Sequence, residues 1–382
     1  QMEQAISLKN REAPLVQAAS GHSNKELNTW DKIVGKLNSH KSPVAGTVTS
    51  VTAQRILVKD SQGKSHSVPL YDNFPLNDKK AFITSSPTVS KGDSIKKGQT
   101  LADTNFTKDG VYAPGTNMRV GYLPYKGLVF EDGIVISESA SQKLTSEHLH
   151  KNRAYVEKNM VVGLKRFRAN YPGVVSEENA AKLDEDGLIR KGQKVAPGDV
   201  LMTVMQKTEP SKEQLMLRGI HKSLARPYKD KSVIWDKPYT GVVTDVVRNG
   251  RELVAYVRTE GPADIGDKVS GRHGNKGVIT AVIPDEEMPK NANNEPIHII
   301  MNPSGVPGRI NVGQVLETSL GKIAEKTGET YVVDNFQTQN EKKVAKVKEH
   351  YRTIQTKEGP KQVKVKAHER ELGNGEIVRE EL

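Results

Sequence analysis

At 382 residues the chain has room for two or three domains and a sizeable core, yet only 35% of it is hydrophobic and its mean hydropathy is −0.59, so much of it must be surface or interface. Its 57 Lys and Arg outnumber 46 Asp and Glu, and the resulting net charge of +11 suits a polyanionic partner, nucleic acid first. No stretch approaches the roughly 20 apolar residues of a membrane-spanning helix, no apolar leader opens the chain, and zero cysteines remove disulfides, thiolate nucleophiles and Cys-held metals together. We therefore expect a soluble protein with no membrane partner. Aromatics make up 5% of the residues, so contacts to phosphate and backbone should outweigh base stacking. The chain opens on Gln1 and reads at once as mid-protein sequence, which predicts a fragment or a divided polypeptide.

Residues 1 to 40 carry too little apolar content for a core of their own and include a helical run around Lys25 to Leu37; this segment must lean on something else. From Val44 to Leu70 the β-branched runs Gly46–Val51 and Arg55–Lys59, the turn Asp60–Gly63 and the returning His66–Leu70 predict a hairpin with a third strand. Two copies of one pattern follow a hundred residues apart, Lys91–Leu101 and Lys191–Leu201. Each has Lys-Gly, a β-branched centre, a second Gly and a final Leu. The pattern predicts two tight turns around a short strand. It leaves two readings open, unrelated turns or a biotinyl- or lipoyl-type carrier hairpin, although Leu201–Lys207 lacks the Met-Lys pair that a carrier presents.

Between Asn117 and Glu138, two apolar strands flank a turn that carries the adjacent acids Glu131 and Asp132. Such a pair can offer oxygens to a divalent cation, or can be a solvated turn. The stretch from 139 to 240 is polar and basic, with a short helix expected at Glu178–Leu183 and a longer one from Ser211 to about Arg226, stopped by Pro227; it reads as an inserted module. Gly241–Val247 and Leu253–Arg258 predict a hairpin across an Asn249-Gly250 turn. Val278–Pro284 and Ile297–Met301 read as strands, and Val312, Val315, Leu316, Leu320 and Ile323 recur at helical spacing up to the stop at Gly328. Beyond residue 330 the chain is charged, with an exposed helix expected near Glu341–Tyr351.

The most informative stretch is Gly266 to Gly277, Gly-Asp-Lys-Val-Ser-Gly-Arg-His-Gly-Asn-Lys-Gly. Four glycines allow close backbone approach, and Lys268, Arg272 and Lys276 stand four apart, an arrangement that suits phosphate oxygens. The glycine spacing and the lack of Ser or Thr after Lys276 exclude the GxxxxGK[ST] nucleotide loop. An ordinary solvated turn has the same composition. Arg309 follows a Gly-Pro turn at a helix entrance, where guanidinium and helix N–H groups can meet one anion.

Taken in order, Glu12-Ala-Pro-Leu-Val16, Asn117-Met-Arg-Val120, Phe130-Glu-Asp-Gly-Ile134, the loop 266–277 and Asn302-Pro-Ser-Gly-Val-Pro-Gly-Arg-Ile-Asn-Val-Gly-Gln-Val-Leu-Glu317 make the chain resemble the C-terminal part of the β subunit of multisubunit DNA-directed RNA polymerases over residues 1 to 325. The resemblance implies a β-rich mixed α+β fold: a hybrid-binding region and the first part of a double-psi β-barrel in 1–138, a flap or wall module in 139–240, the second part of the barrel and a helix in 241–330, and a charged extension in 331–382. It implies that Lys268 and Lys276 contact the RNA 3′ end and reacting phosphates, that Arg309 contacts the incoming nucleotide, and that Arg272, His273 and Asn275 bind phosphate or nucleic acid. Glu131 and Asp132 are expected beside a second Mg2+, indirectly or shared with a partner, because nothing like the Asn-Ala-Asp-Phe-Asp-Gly-Asp loop of the β′ subunit occurs here. The implied partners are a β′-type subunit, the rest of the β subunit, a sigma-like factor at the flap, template DNA, RNA product and NTPs. The implied place is the bacterial cytoplasm and nucleoid, or the host cytoplasm for a phage protein. The module is shorter than the usual bacterial one, Gly133 stands where the family has Ser or Ala, and the fork and clamp-associated segments are missing at either end, as expected of a divided phage-type subunit or a piece of a longer one. A nucleic-acid-binding scaffold with the same barrel and no chemistry is the alternative.

Overall fold

A computed structural model describes residues 6–77, 80–208, 228–334, 344–347, 350–356, 359–365 and 368–371. It divides into a larger unit, Gln1–Val16 with Asp31–Tyr331, and a smaller one, Gln17–Trp30 with Val332–Leu382. The described helices are α1 (Trp30–Asn38), α2 (Glu138–Lys143), α3 (Leu164–Asn170), α4 (Glu177–Lys182), α5 (Gly305–Arg309) and α6 (Val312–Thr327). The helix expected from Ser211 to Arg226 lies outside the described residues.

In the larger unit, strands β1 (Gly46–Val51), β2 (Arg55–Asp60), β3 (Ser65–Pro69) and β4 (Ser94–Ile95) form one antiparallel sheet in the order β3-β2-β1-β4. The expected hairpin is present, and its alternation turns Val48, Ile56, Val58 and Val68 into a shared core with Ile95 and Leu101. The N-terminal segment does lean on the rest, since Lys9 N–H donates to Thr145 C=O and Glu12 N–H to Gly115 C=O, both at 2.9 Å.

A second sheet is built from β5 (Val120–Tyr122), β6 (Gly133–Ser137), and three later strands. Between them the chain makes β7 (Ser146–Tyr155), β8 (Lys194–Val195), β9 (Gly241–Asn249) and β10 (Glu252–Gly261), which pair antiparallel in the order β7-β10-β9-β8. The Asn249-Gly250 hairpin thus hydrogen-bonds to strands of the 139–240 stretch. Their core holds Phe167, Leu183, Ile189, Leu201, Met202, Met205 and Trp235, all almost fully buried. Each such side chain contributes roughly 1.5–3 kcal/mol by leaving water. The two methionines of the Leu201–Lys207 stretch are core residues, which rules out an exposed carrier hairpin there.

The repeated Lys-Gly pattern builds the same object twice. Gly92 N–H donates to Val48 C=O and Val48 N–H to Asp93 C=O; a hundred residues later Gly192 N–H donates to Val243 C=O and Val243 N–H to Gln193 C=O. The strand receiving each copy is bulged one residue later, at Val48/Ser50 and at Val243/Asp245. Both glycines of both copies have positive φ, which a side chain would strain. The copies are therefore one structural repeat, not unrelated turns.

The second sheet is completed by β11 (Lys268–Ser270), β12 (Lys276–Ile283) and β13 (Ile299–Met301), in the order β5-β13-β6-β12-β11. β5 runs parallel to β13 and β6 parallel to β12, while the β6–β13 and β11–β12 pairs are antiparallel. Segments more than a hundred residues apart are interleaved. Ile134, Val135 and Ile136 are all buried, so β6 is covered on both faces.

Two expectations need correction. Residues 344–347 and 350–356 are strands, paired with 368–371 and 359–365, where a helix was expected. Hydrogen bonding between distant segments has overridden the helix-favouring Lys and Glu content. On α6, Val312, Leu316 and Ile323 are exposed, while Gln314 and Ala324 are buried. The apolar stripe exists but does not face a core within the described residues.

Candidate nucleotide and phosphate site

Residues from four separate stretches line a small open cleft, among them Glu131, Asp132, Asn275, Lys276, Asn302 and Arg309. The floor is β-structure. Because Gly133 pairs with Val278, Val278 N–H donates to the Asp132 carbonyl at 3.0 Å, and the acidic turn lies against the start of β12. A side chain at Gly277 would put its Cβ 2.4 Å from the Asp132 carbonyl oxygen. Only glycine there allows Lys276 and Asp132 to approach one another along adjoining strands.

The acidic turn is tight, with Gly133 N–H donating to Phe130 C=O at 2.9 Å. Glu131 occupies its second position with φ +51°, a left-handed conformation that is costly for a residue with a side chain. Across the cleft, α5 delivers Arg309, whose Nη2 lies 2.5 Å from Asp132 Oδ1. Both side chains are about half exposed, so this pair can exchange partners with an arriving anion. Arg309 ends α5, and α6 starts three residues later after Ile310 in a left-handed conformation.

Lys276 begins β12 in the cleft lining, whereas Lys268 begins β11 outside it. Their register is Lys268 opposite Val278 and Ser270 opposite Lys276, so the two lysines occupy diagonal positions on one face of the hairpin. Arg272 and His273 are engaged within the chain. Arg272 Nε donates to Glu317 Oε1 at 3.0 Å, its Nη2 donates to the same oxygen and to Val16 C=O, and His273 Nε2 meets Glu317 Oε2. Asn275 lines the cleft with its Oδ1 buried and without a hydrogen-bond partner among the described residues.

Among the described residues no group of three or more His, Asp and Glu stands ready to hold a metal ion. Sequence reasoning passed over Asn302, Asn311, Gln314 and Glu317. All four lie inside the Asn302–Glu317 motif, where a polar Gln within an apolar helical pattern was the available signal for Gln314.

The family described as RNA polymerase Rpb2, domain 6, matches residues 41–367. Among curated proteins the chain is 35% identical over 340 residues to the DNA-directed RNA polymerase subunit beta of Rubrobacter xylanophilus, covering 85% of this chain and 29% of that protein. It is 33% identical over 335 residues to the same subunit of Dehalococcoides mccartyi, covering 83% and 26%, and 34% identical over 352 residues to that of Mycoplasmopsis pulmonis, covering 87% and 28%. The chain spans under a third of the length of these relatives.

Proposed function

The chain belongs to the RNA polymerase β-subunit family, matching Rpb2 domain 6 along most of its length, and from that premise we propose that it supplies the cationic wall of a template-directed nucleotidyl-transfer site. The observation that carries the reading is the convergence of Lys276, Arg309, Glu131 and Asp132 on one cleft from segments up to 178 residues apart. In this reading Lys268 and Lys276 hold the RNA 3′ end and reacting phosphates, and Arg309 takes the phosphates of the incoming NTP. Fixed cations facing developing negative charge need no reorganisation during the reaction, which is why they lower its barrier. Asn275 presents its amide to the same phosphates, and Arg272 and His273 stand behind it, engaged with Glu317.

Magnesium, the ion this chemistry calls for, would neutralise charge on the reacting phosphates. Glu131 and Asp132 are the carboxylates this chain offers it, and they fit an ion shared with a partner that brings the remaining ligands. A β′-type subunit carrying a triple-aspartate loop is that partner, and the interleaved sheet of β5, β6, β11, β12 and β13 supports reading this region as part of a double-psi β-barrel. The 139–240 module serves as the flap, open to a sigma-like factor, in an assembly with the remaining β segment, template DNA, RNA and NTPs in bacterial or phage-infected cytoplasm.

Reconstitution tests the proposal directly. The chain, mixed with the remaining β segment and a triple-aspartate subunit, should yield RNA whose sequence follows the template, and omission of the chain should abolish synthesis. A complex that assembles and binds DNA but makes no RNA would favour a scaffold without chemistry.

A further inference from the structure

The loop that carries Lys276 has little holding it from within. Inside the turn closed by the Ser270–Lys276 pair of the hairpin, its backbone contacts are Gly271 N–H to Asn275 C=O at 3.4 Å and Lys276 N–H to Gly274 C=O at 2.9 Å. Apart from the bond from Arg272 Nη2 to the Val16 carbonyl at 2.7 Å, the side-chain contacts that hold it come from α6. Glu317, one turn and a half into that helix, divides its carboxylate between neighbouring loop residues, with Oε1 on Arg272 and Oε2 on His273. Asn311, at the start of the helix, donates from Nδ2 to the His273 carbonyl at 3.2 Å and to Gln314 Oε1 at 3.2 Å. Gln314, 7% exposed, passes the connection to strand β5 by donating from Nε2 to the Tyr122 hydroxyl at 2.7 Å. The first turn of α6 is also packed against the imidazole, since a Cβ at Gly313 would lie 2.9 Å from His273 Nδ1.

These contacts share a consequence. Arg309 ends α5, three residues ahead of α6, and Lys276 follows the Arg272–His273 pair by three residues. The carboxylate of Glu317 therefore links the two cationic arms of the cleft through one helix. We infer that Glu317 is a positioning residue: it binds Arg272 and His273 through its two carboxylate oxygens, fixes the glycine loop to α6, and thereby sets the spacing between Lys276 and Arg309. Asn311 and Gln314 brace the same grip from below. The functional half of this inference rests on the phosphate reading of the cleft; the structural half does not.

The structural half is tested on the purified 382-residue chain by amide hydrogen exchange. Glu317→Ala should raise exchange at the hydrogen-bonded Gly271 and Lys276 amides by roughly tenfold, the size expected for losing charged hydrogen bonds, while the amides at the C-terminal end of α6 stay protected. Glu317→Gln keeps an acceptor and loses the charge, so it should fall between the two. Because Glu317 is partly exposed, neither variant threatens the fold. Unchanged loop exchange in Glu317→Ala overturns the inference. In the assembled enzyme, Glu317→Ala should slow nucleotide addition, and adding Arg272→Ala and His273→Ala to it should cost little more, since Glu317 acts through those residues. Loosened exchange with normal addition refutes the positioning role. If Lys276→Ala also leaves addition normal, the phosphate reading of the cleft fails, and the grip on the loop is still decided by the exchange experiment.

Discussion

Arg309 and Asp132 form an ion pair across the cleft, Nη2 to Oδ1 at 2.5 Å, although 177 residues separate them in the chain. The two groups are roughly half exposed, and ion pairs of that kind contribute about 0–1 kcal/mol to stability. Their proximity therefore says more about chemistry than about folding. Arg309→Ala should leave the melting temperature within a degree or two while slowing nucleotide addition by roughly 10²–10³-fold, the loss seen when one preorganised donor is removed. Rapid-quench kinetics of the reconstituted complex beside a thermal melt of the chain would check both halves. A stability loss with intact kinetics would reverse the assignment.

Lys268 and Lys276 share one face of the β11–β12 hairpin. If both meet phosphates, each alanine substitution should reduce the salt dependence of nucleic-acid binding by about 0.7–0.9 in the slope of log affinity against log salt. Subunit assembly should be unaffected. Titrating binding between low and moderate salt, and scoring elongation in the same complexes, provides the measurement. Near-normal elongation in either variant would sink its role.

Gly277 lies where a Cβ would meet the Asp132 carbonyl at 2.4 Å and the Ile134 side chain at 2.5 Å. Gly277→Ala should destabilise the larger unit by about 1–3 kcal/mol, as overpacking does in a well-filled site. Gly305, with open space around its Cβ position and no positive φ, is the control, and Gly305→Ala should have a much smaller effect. Urea unfolding of both variants measures the difference.

His148 and His150 are both pushed down to about 4, in each case chiefly by burial. Lys80 adds to the effect at His148, and His148 and Lys80 add to it at His150. His150 Nε2 meets Thr259 Oγ1 at 3.0 Å, and its ring stands edge-on to Trp235. The unfolded chain binds protons at these positions below its ordinary value near 6.5, whereas the folded chain resists them until about 4. Stability should therefore be steady above pH 6.5 and fall as the pH drops from 6.5 towards 4. A His148→Gln, His150→Gln double variant should flatten that fall, and melting temperatures taken across the range would reveal it.

Local chemistry was legible where it lies in consecutive residues. The first hairpin and α6 could be read from turn residues and periodicity, with bounds close to those observed; the stretch before Arg309, read as a turn, is helix α5, and the Gly266–Gly277 loop includes strand β11 and the start of β12. The repeated Lys-Gly pattern was legible as a repeat, but its meaning was not. Two copies are alike because each hydrogen-bonds to a bulged strand 45 or 50 residues away, and no local pattern carries that pairing. The tail misled for a related reason: Lys and Glu favour helix locally, and strand partners that lie up to 27 residues apart decide otherwise.

Residue chemistry and local turns were determined by the sequence itself: cations at fixed spacing, glycines where side chains would clash, an acidic pair on a tight turn. Tertiary structure alone decided which of these groups meet. It brought Arg309 to Asp132, assigned Arg272 and His273 to Glu317, and left the apolar stripe of α6 outward. Torsions and propensities act over a few residues, whereas the distance between side chains far apart in the chain is set by long-range strand pairing, here the interleaving of β5 and β6 with β12 and β13.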